Sequence, residues 1–325
     1  NEGRAVQMAQ ALAEGAAQVQ SITTTALEPA TEGKLVYVQG TAQTTETLTD
    51  AQLGVRSPAI RLQRQVELYQ WREKRSSKDQ GPDTISYVKE WSSQLIASDN
   101  YQFGHQNPTV FGAAGFELKP AHWQAQTVTL GVLRLADDLV RQMQPHALRL
   151  DNTAASGLPP ELRRLAQVFD GQLYFGANPQ TPAIGDLRVR YQYVPATAEV
   201  SVVAGQVGAA LVPYQTSNGR LLALLGMGLV PASSLFAEAE LANTIQTWLL
   251  RVVGFFMLMG GVQLIVSPLT GWLGQIPWLG SVLNAGISLV AAAVAGILAL
   301  GTIAVAWFYF RPWLALGLGL LGVLL

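Results

Sequence analysis

The spacing of apolar residues changes along the chain, and each spacing predicts a different kind of element. Near the start, Val6, Ala9 and Ala13 recur at the three- to four-residue interval of one helix face. Over residues 21–232, short runs alternate between apolar and polar side chains, which is the period of strands. From residue 233 onward the apolar residues first have helical spacing and then become almost continuous. The chain therefore divides into a leading helix, a strand-rich domain and a membrane region.

The strand-rich domain contains three segments with clear alternation. "RLQRQVELYQWRE" (61–73) and "DTISYVKEW" (83–91) flank a polar turn and predict a long antiparallel hairpin. "DLRVRYQYV" (186–194) places apolar and polar residues on opposite faces of a third strand. Short helices are expected over 135–143 and 159–169. These elements predict an α+β fold: a mostly antiparallel, β-rich soluble domain with short helices, followed by a transmembrane α-helical bundle.

The distribution of charged residues predicts where the chain passes from water into a lipid bilayer. The 21 Lys and Arg residues nearly balance the 22 Asp and Glu residues, so the net charge of −1 gives no reason to expect a nucleic-acid partner. Residues 252–310 contain no Asp, Glu, Lys, Arg or His, and beyond Arg251 the remaining charged residue is Arg311. We therefore expect water around the chain up to about Arg251 and a lipid bilayer around most of the residues after it.

The same patterns set the expected boundaries of the membrane region. Proline and glycine residues interrupt the apolar run after residue 267, which predicts an interfacial connector, with a re-entrant loop as the alternative. The expected segments are a helix over 1–20 leading from an upstream transmembrane span, the soluble domain over 21–232, an amphipathic helix continuing into a transmembrane helix over 233–267, the connector over 268–281, a transmembrane helix over 282–310 and a truncated final transmembrane helix over 312–325.

Aromatic and arginine side chains are expected at the membrane interface, where their polar groups reach the headgroups. Arg311 precedes Pro312 and marks a turn between helices; the alternative, a buried arginine on an ion path, lacks an acidic or histidine partner in the apolar region. Small residues predict close helix packing at Ala292, Gly296 and Gly301. The predicted interface residues are Arg251, Trp272, Trp278, Trp307, Tyr309, Arg311 and Trp313.

Candidate chemistry in the soluble domain is sparse. The chain has no cysteine, which excludes disulfides and thiol catalysis, and its three histidines lack the spacing of a metal site. We therefore expect no metal and no cofactor. His105 and Asn107, in the turn "GHQNP", are the best polar candidates for binding, with His105 as a base or ligand. The simpler interpretation, which we favour, is a structural histidine that bonds to its own loop.

The predicted hairpin carries a second candidate binding surface. Tyr69, Trp71 and Trp91 lie on its two strands together with Tyr87, and aromatic rings on one face can bind a ligand. The alternative, a packed sheet surface, is the commoner use of such residues, and it is the interpretation that we favour. The sequence of the domain shows no catalytic constellation, which argues against an enzyme.

Six ordered blocks of sequence resemble one known family. They are "NEGRAVQMAQALAEG" at the start, "EGKLVYVQG" (32–40), "VELYQW" (66–71), "GHQNP" (104–108), "GDLRV" (185–189) and "FYFRPW" (308–313). Together they resemble the transmembrane protein 43 family, also called LUMA, and they cover nearly the whole chain. The resemblance implies a first membrane helix just upstream of Asn1, a large domain on the lumenal or exoplasmic side, and three closing helices.

The resemblance also implies a range of functions. Animal members of the family sit in the endoplasmic reticulum and inner nuclear membrane, self-associate, and are associated with lamins and emerin; channel-related roles have been proposed for them. The connector and the lack of a long basic tail look more like a bacterial member, with a periplasmic domain on an inner membrane and no lamina to bind. We therefore expect a self-associating membrane scaffold that contacts itself and envelope proteins. The alternatives are a channel or transport component and an enzyme or lipid- or ligand-handling protein.

Overall fold

The computed structural model describes residues 2–78, 81–113, 115–273 and 293–305, and Gly317. Its helices are α1 (Glu2–Gln18), α2 (Asp137–Val140), α3 (Pro160–Arg163), α4 (Ala232–Leu273) and α5 (Ala293–Val305). Its strands are β1 (Gln20–Ser21), β2 (Leu35–Gln43), β3 (Thr47–Asp50), β4 (Val55–Lys78), β5 (Gly81–Ser92), β6 (Gly112–Ala113), β7 (Phe116–Glu117), β8 (Ala121–Gln124), β9 (Thr129–Leu130), β10 (Leu133–Leu135), β11 (His146–Leu148), β12 (Ala166–Phe169), β13 (Gln172–Phe175), β14 (Leu187–Pro195), β15 (Thr197–Val207), β16 (Ala210–Val212), β17 (Tyr214–Gln215), β18 (Leu221–Leu222) and β19 (Leu224–Met227).

The first sheet has the order β1-β2-β9-β10-β16-β15-β19, and β2 also pairs with β15, so its central strands close into a ring. β2 and β15 run antiparallel in a register that joins Leu35 to Gly205 and Gln43 to Thr197. Alternate residues of these strands, such as Val36 and Val202, belong to the core cluster that this sheet forms with α2. The residues between them, such as Leu35 and Val203, belong instead to the cluster that includes α1 and α4.

The second sheet is organised along β4, which is 24 residues long. Its order is β12-β13-β14-β4-β3, with β5 and β8 also on β4 and β11 on β14. The core of this sheet contains Leu62, Val66 and Val189. Beyond Leu68, β4 continues with β5 as the hairpin that the alternating pattern predicts, and β14 confirms the alternation over 186–194. Together with α1 and the short helices, these two sheets confirm the predicted α+β class.

The helix expected over 159–169 is wrong for its second half. α3 ends at Arg163, and residues Ala166–Phe169 form β12, which pairs with β13. Asp170 and Gly171 join these strands and have φ values of 47° and 73°. A two-residue hairpin loop with both φ values positive is the arrangement that Asp-Gly favours. The helix expected over 135–143 is also shorter than predicted, because Leu133–Leu135 belongs to β10.

α4 continues to Leu273, beyond residue 268 where the connector was expected to begin. A proline within an apolar helix forfeits one backbone hydrogen bond without ending the helix. Among the described residues, Ala232–Val262 is the stretch long and apolar enough to cross a membrane, and none of its most apolar window is buried inside the protein. Side chains such as Trp248, Met257 and Leu264 are 60–75% exposed. Residues 274–292 and 306–316, which include most of the other predicted membrane segments, lie outside the described residues.

Candidate functional site

The aromatic residues of the hairpin share one face. The register pairs Tyr69 with Trp91 and Trp71 with Lys89. The rings of Tyr69 and Trp91 lie 5.1 Å apart, the Arg188 guanidinium lies 4.5 Å from the Trp91 ring centroid, and the Lys89 ammonium lies 4.9 Å from that of Trp71. The structure therefore places the three predicted aromatic residues on one face, where Lys89 and Arg188 partly cover the rings of Trp71 and Trp91.

Asn107 fastens the loop over residues 93–108 to the edge of the hairpin. Its Oδ1 accepts a hydrogen bond from the backbone N–H of Trp71 at 2.7 Å, and its Nδ2 donates to the Trp71 carbonyl at 2.8 Å and to the Ile96 carbonyl at 3.2 Å. The amide thus takes the place of a neighbouring strand along this part of β4. Asn107 therefore serves the fold here.

His105 lies in the same loop and is held by ring packing. Its imidazole stacks on Tyr87, with ring centroids 4.0 Å apart, and meets the edge of Trp71 at 4.7 Å. Its Nδ1 is buried and has no hydrogen-bond partner among the described residues. Within the described ranges, no group of three His, Cys, Asp or Glu side chains is arranged to hold a metal ion. His105 therefore packs against the aromatic face of the hairpin, in contact with Tyr87 and Trp71.

A buried ion pair joins β3, β4 and β14. Arg64 Nη1 lies 2.7 Å from Asp50 Oδ2, and the two side chains are 5% and 1% exposed. The Tyr191 hydroxyl donates to the same carboxylate oxygen at 2.6 Å. Burial, together with the Asp50 charge, raises the pKa of Tyr191 far above its ordinary value, so the hydroxyl stays a donor. Sequence reasoning missed this group, because its members come from three different strands and Tyr191 lies 141 residues from Asp50 along the chain.

α1 and α4 form the junction between the domain and the membrane region. Glu2 accepts two hydrogen bonds from Arg251, both at 2.7 Å, and Asn243 Nδ2 donates to the Ala5 carbonyl at 3.0 Å. Arg251 was predicted to reach lipid headgroups from the interface. In the folded chain its guanidinium binds the α1 carboxylate, and the side chain is 18% exposed.

A groove of about 610 Å³ opens beside this junction, between α1, α4, α5 and the strands next to α1. Arg4 and Arg220 line it from the side of the domain. Apolar side chains line it along α4 and α5, among them Leu250, Phe255 and Ile303. The groove therefore combines a cationic wall with an apolar wall.

Comparison with known proteins decides the family. A sequence profile described as "Transmembrane protein 43" matches residues 68–312. The Homo sapiens protein of that name is 32% identical over 352 residues, which cover 100% of this chain and 84% of the human protein. The chain belongs to the transmembrane protein 43 family. The Mus musculus protein is 32% identical over 97% of this chain and 82% of its own length, and a Drosophila melanogaster homologue is 28% identical over 96% and 84%. No solved structure matches.

As a member of the transmembrane protein 43 family, the chain belongs among membrane proteins, and α4 supplies one candidate membrane helix. Trp272 lies in the last turn of α4. Of the predicted packing residues, Gly296 and Gly301 lie on α5, where an added Cβ would meet none of the described residues within 4 Å. The other predicted interface and packing residues lie outside the described residues: Ala292, Trp278, Trp307, Tyr309, Arg311 and Trp313.

Proposed function

We propose that this member of the transmembrane protein 43 family is an integral membrane scaffold. It self-associates through its membrane helices and holds its β domain on the periplasmic face of a bacterial inner membrane, where envelope proteins bind to it. The observation that carries the proposal is the packing of α1 and α4 on the same outer face of the first sheet. A domain fixed in this way transmits the position of the membrane helices to the proteins that bind the domain.

The contacts at this face support a rigid attachment. Leu12 of α1 and Phe236 of α4 are at most 4% exposed, and they share a core cluster with Leu35 and Val203 of the sheet. Gly15 brings α1 so close that an added Cβ would lie 2.5 Å from a Leu222 methyl carbon. Burial of this kind stabilises by about 1.5–3 kcal/mol for each large apolar side chain.

Small residues on the membrane helices support self-association. An added Cβ at Gly260 of α4, or at Gly296 or Gly301 of α5, would meet no described residue within 4 Å. Such positions allow the backbone of a second helix to approach closely, and close packing is the main source of helix association in lipid. We therefore place the contact between copies on α5, where neither of the two predicted packing glycines is covered by a described residue.

The chain has no cysteine, so a single introduced thiol tests the contact between copies without background. Gly296→Cys and Gly301→Cys are expected to form disulfide-linked dimers in membranes under mild oxidation. Met257→Cys, on an exposed position of α4, is the matched control and is expected to cross-link less. A chain that stays monomeric by light scattering in detergent and forms no α5 cross-links would overturn the scaffold proposal.

The proposed side of the membrane is tested by the hairpin tip. Ser76 is exposed near the end of β4, so Ser76→Cys presents a thiol to the compartment that contains the domain. A membrane-impermeant maleimide is expected to label it in spheroplasts with intact inner membranes. Protection before lysis and labelling after it would place the domain in the cytoplasm.

A further inference from the structure

We propose that the groove between α1, α4 and α5 binds one anionic phospholipid of the surrounding bilayer, with the phosphate between Arg4 and Arg220 and an acyl chain along α4 and α5. The lipid site lies between α1, α4 and α5, apart from the contact between copies proposed at Gly296 and Gly301, so the two proposals can fail separately. A lipid held there would act as a cofactor of the junction between domain and membrane.

The charge of the groove favours an anion. Its lining contains three arginines and one acid, Glu2, which is engaged by Arg251 through two hydrogen bonds. Arg4 and Arg220 have no ion-pair partner among the described residues. A phosphate group accepts charge-assisted hydrogen bonds from guanidinium groups in a bidentate geometry, which makes it a fitting occupant for this pair.

The contacts of Arg220 point to the same end of the groove. Its Nη2 donates to the Arg4 carbonyl at 3.2 Å, which brings its guanidinium to the first turns of α1. Its Nε is buried without an acceptor among the described residues. A buried donor without an acceptor is costly, and a small rotation of the side chain toward a bound phosphate would satisfy it.

The apolar wall gives the rest of the ligand. Leu250, Phe255 and Leu258 lie along α4 at helical spacing and within its candidate membrane span. Ala299 and Ile303 face them from α5. Because this wall belongs to the candidate membrane span of α4, and the two arginines lie on α1 and just before β18, a molecule with an anionic head and an apolar tail matches both ends. A phospholipid reaches such a groove by lateral diffusion.

Native mass spectrometry of the full-length protein in detergent tests the site. With palmitoyl-oleoyl phosphatidylglycerol the wild-type protein is expected to retain one lipid with at least about tenfold higher affinity than for the phosphatidylcholine of the same chains. Arg4→Gln with Arg220→Gln is expected to remove this preference, whereas Arg56→Gln, which removes an exposed charge from β4, is expected to keep it.

A second pair of variants tests the apolar wall without changing charge. Gly254→Phe fills the groove beside Phe255 and is expected to lower phosphatidylglycerol retention about tenfold, whereas Gly261→Phe, which lies outside the groove lining, is expected to leave it unchanged. Equal affinity for the two lipids, or retention unaffected by both groove variants, would overturn the proposal. Displacement of the lipid by millimolar inorganic phosphate would assign the arginines to free phosphate, and cross-linking between copies through Gly254→Cys would assign the groove to a second chain; either result contradicts a lipid site.

Discussion

Arginine side chains have acidic partners in the interior of the β domain, whereas two arginines at the junction of α1, α4 and α5 have none among the described residues. Arg64 is 5% exposed and is held by Asp50, Gln52 and the Lys119 carbonyl. Arg4 and Arg220 instead line an open groove and have no acidic partner among the described residues. A side chain whose hydrogen bonds all lie within the chain serves the fold, whereas one that faces open space is available to a ligand. This difference directs the search for function away from the aromatic hairpin and toward the junction.

The largest expected effect comes from breaking the buried pair. Arg64→Met leaves the Asp50 carboxylate buried without its cation, and such a change costs about 3–5 kcal/mol. For a domain of this size, the midpoint of thermal unfolding is expected to fall by about 6–20 °C. Tryptophan fluorescence of the full chain in detergent, recorded against temperature, measures this midpoint.

The matched control is the double variant that combines Arg64→Met with Asp50→Asn. Asp50→Asn removes the unpaired carboxylate charge and keeps an oxygen that can accept from the Tyr191 hydroxyl and from the backbone N–H groups of Gln52 and Leu53. The double variant is therefore expected to recover a large part of the loss. A midpoint for Arg64→Met within about 2 °C of the wild type would show that the pair does not hold the three strands together.

A smaller loss of stability is expected at the junction, from substitution of Gly15, the glycine at which α1 packs most closely on its neighbours. Gly15→Val places methyl groups where Leu222 and Phe236 already lie within 2.5–3.0 Å of an added Cβ, and overpacking of this kind costs about 1–3 kcal/mol. Gly3→Val, where an added Cβ meets no described residue within 4 Å, is the control on the same helix. Hydrogen exchange of α1, followed by mass spectrometry, is expected to quicken for Gly15→Val alone. Equal protection in both variants would mean that α1 is not packed against the sheet.

The elements that sequence predicts well are those with local causes. The hairpin, β14, α1 and the long helix arise from periodicity, which each segment carries within itself. The residues of β12 were predicted as the second half of a helix over 159–169. The Asp170-Gly171 pair was the available signal for a hairpin. Both residues have positive φ, the conformation of a two-residue hairpin turn, and the segments on either side are therefore strands.

The parts of the candidate site that sequence misses depend on distant pairs. Asp50 and Tyr191 are 141 residues apart, and Glu2 and Arg251 are 249 apart, so no spacing rule connects them. Arg251 was expected at the membrane interface because its charge borders the apolar region. Its ion pair with Glu2 of α1 forms only when the chain folds, so the sequence pattern does not reveal it. The groove likewise exists where three helices meet and has no sequence signature.

The smallest expected effect is on pH dependence in the β domain. Burial alone would raise the pKa of Glu67, but hydrogen bonds from Arg188 and Arg190, together with their charges, lower it below 4.5. A carboxyl with a lowered pKa in the folded state contributes stability that is complete above its unfolded pKa and is lost as the pH falls through its folded pKa. Glu67→Gln is therefore expected to lower the free energy of unfolding by about 1 kcal/mol at about pH 7 and by less at about pH 3.5. Equal losses at both pH values would contradict the pairing, and Glu117→Gln, in an exposed pair with Lys119, serves as the control.

The central claim is that the β domain and the membrane helix move as one body. Because the chain has no cysteine, Arg56→Cys on β4 and Met257→Cys on α4 can carry two spin labels at exposed positions, and pulsed electron–electron resonance in nanodiscs measures the distance between them. We predict a single narrow distribution that broadens when Gly15→Val is added. A broad distribution in the otherwise unmodified chain would contradict the claim, because it would mean that the domain swings freely on its membrane anchor.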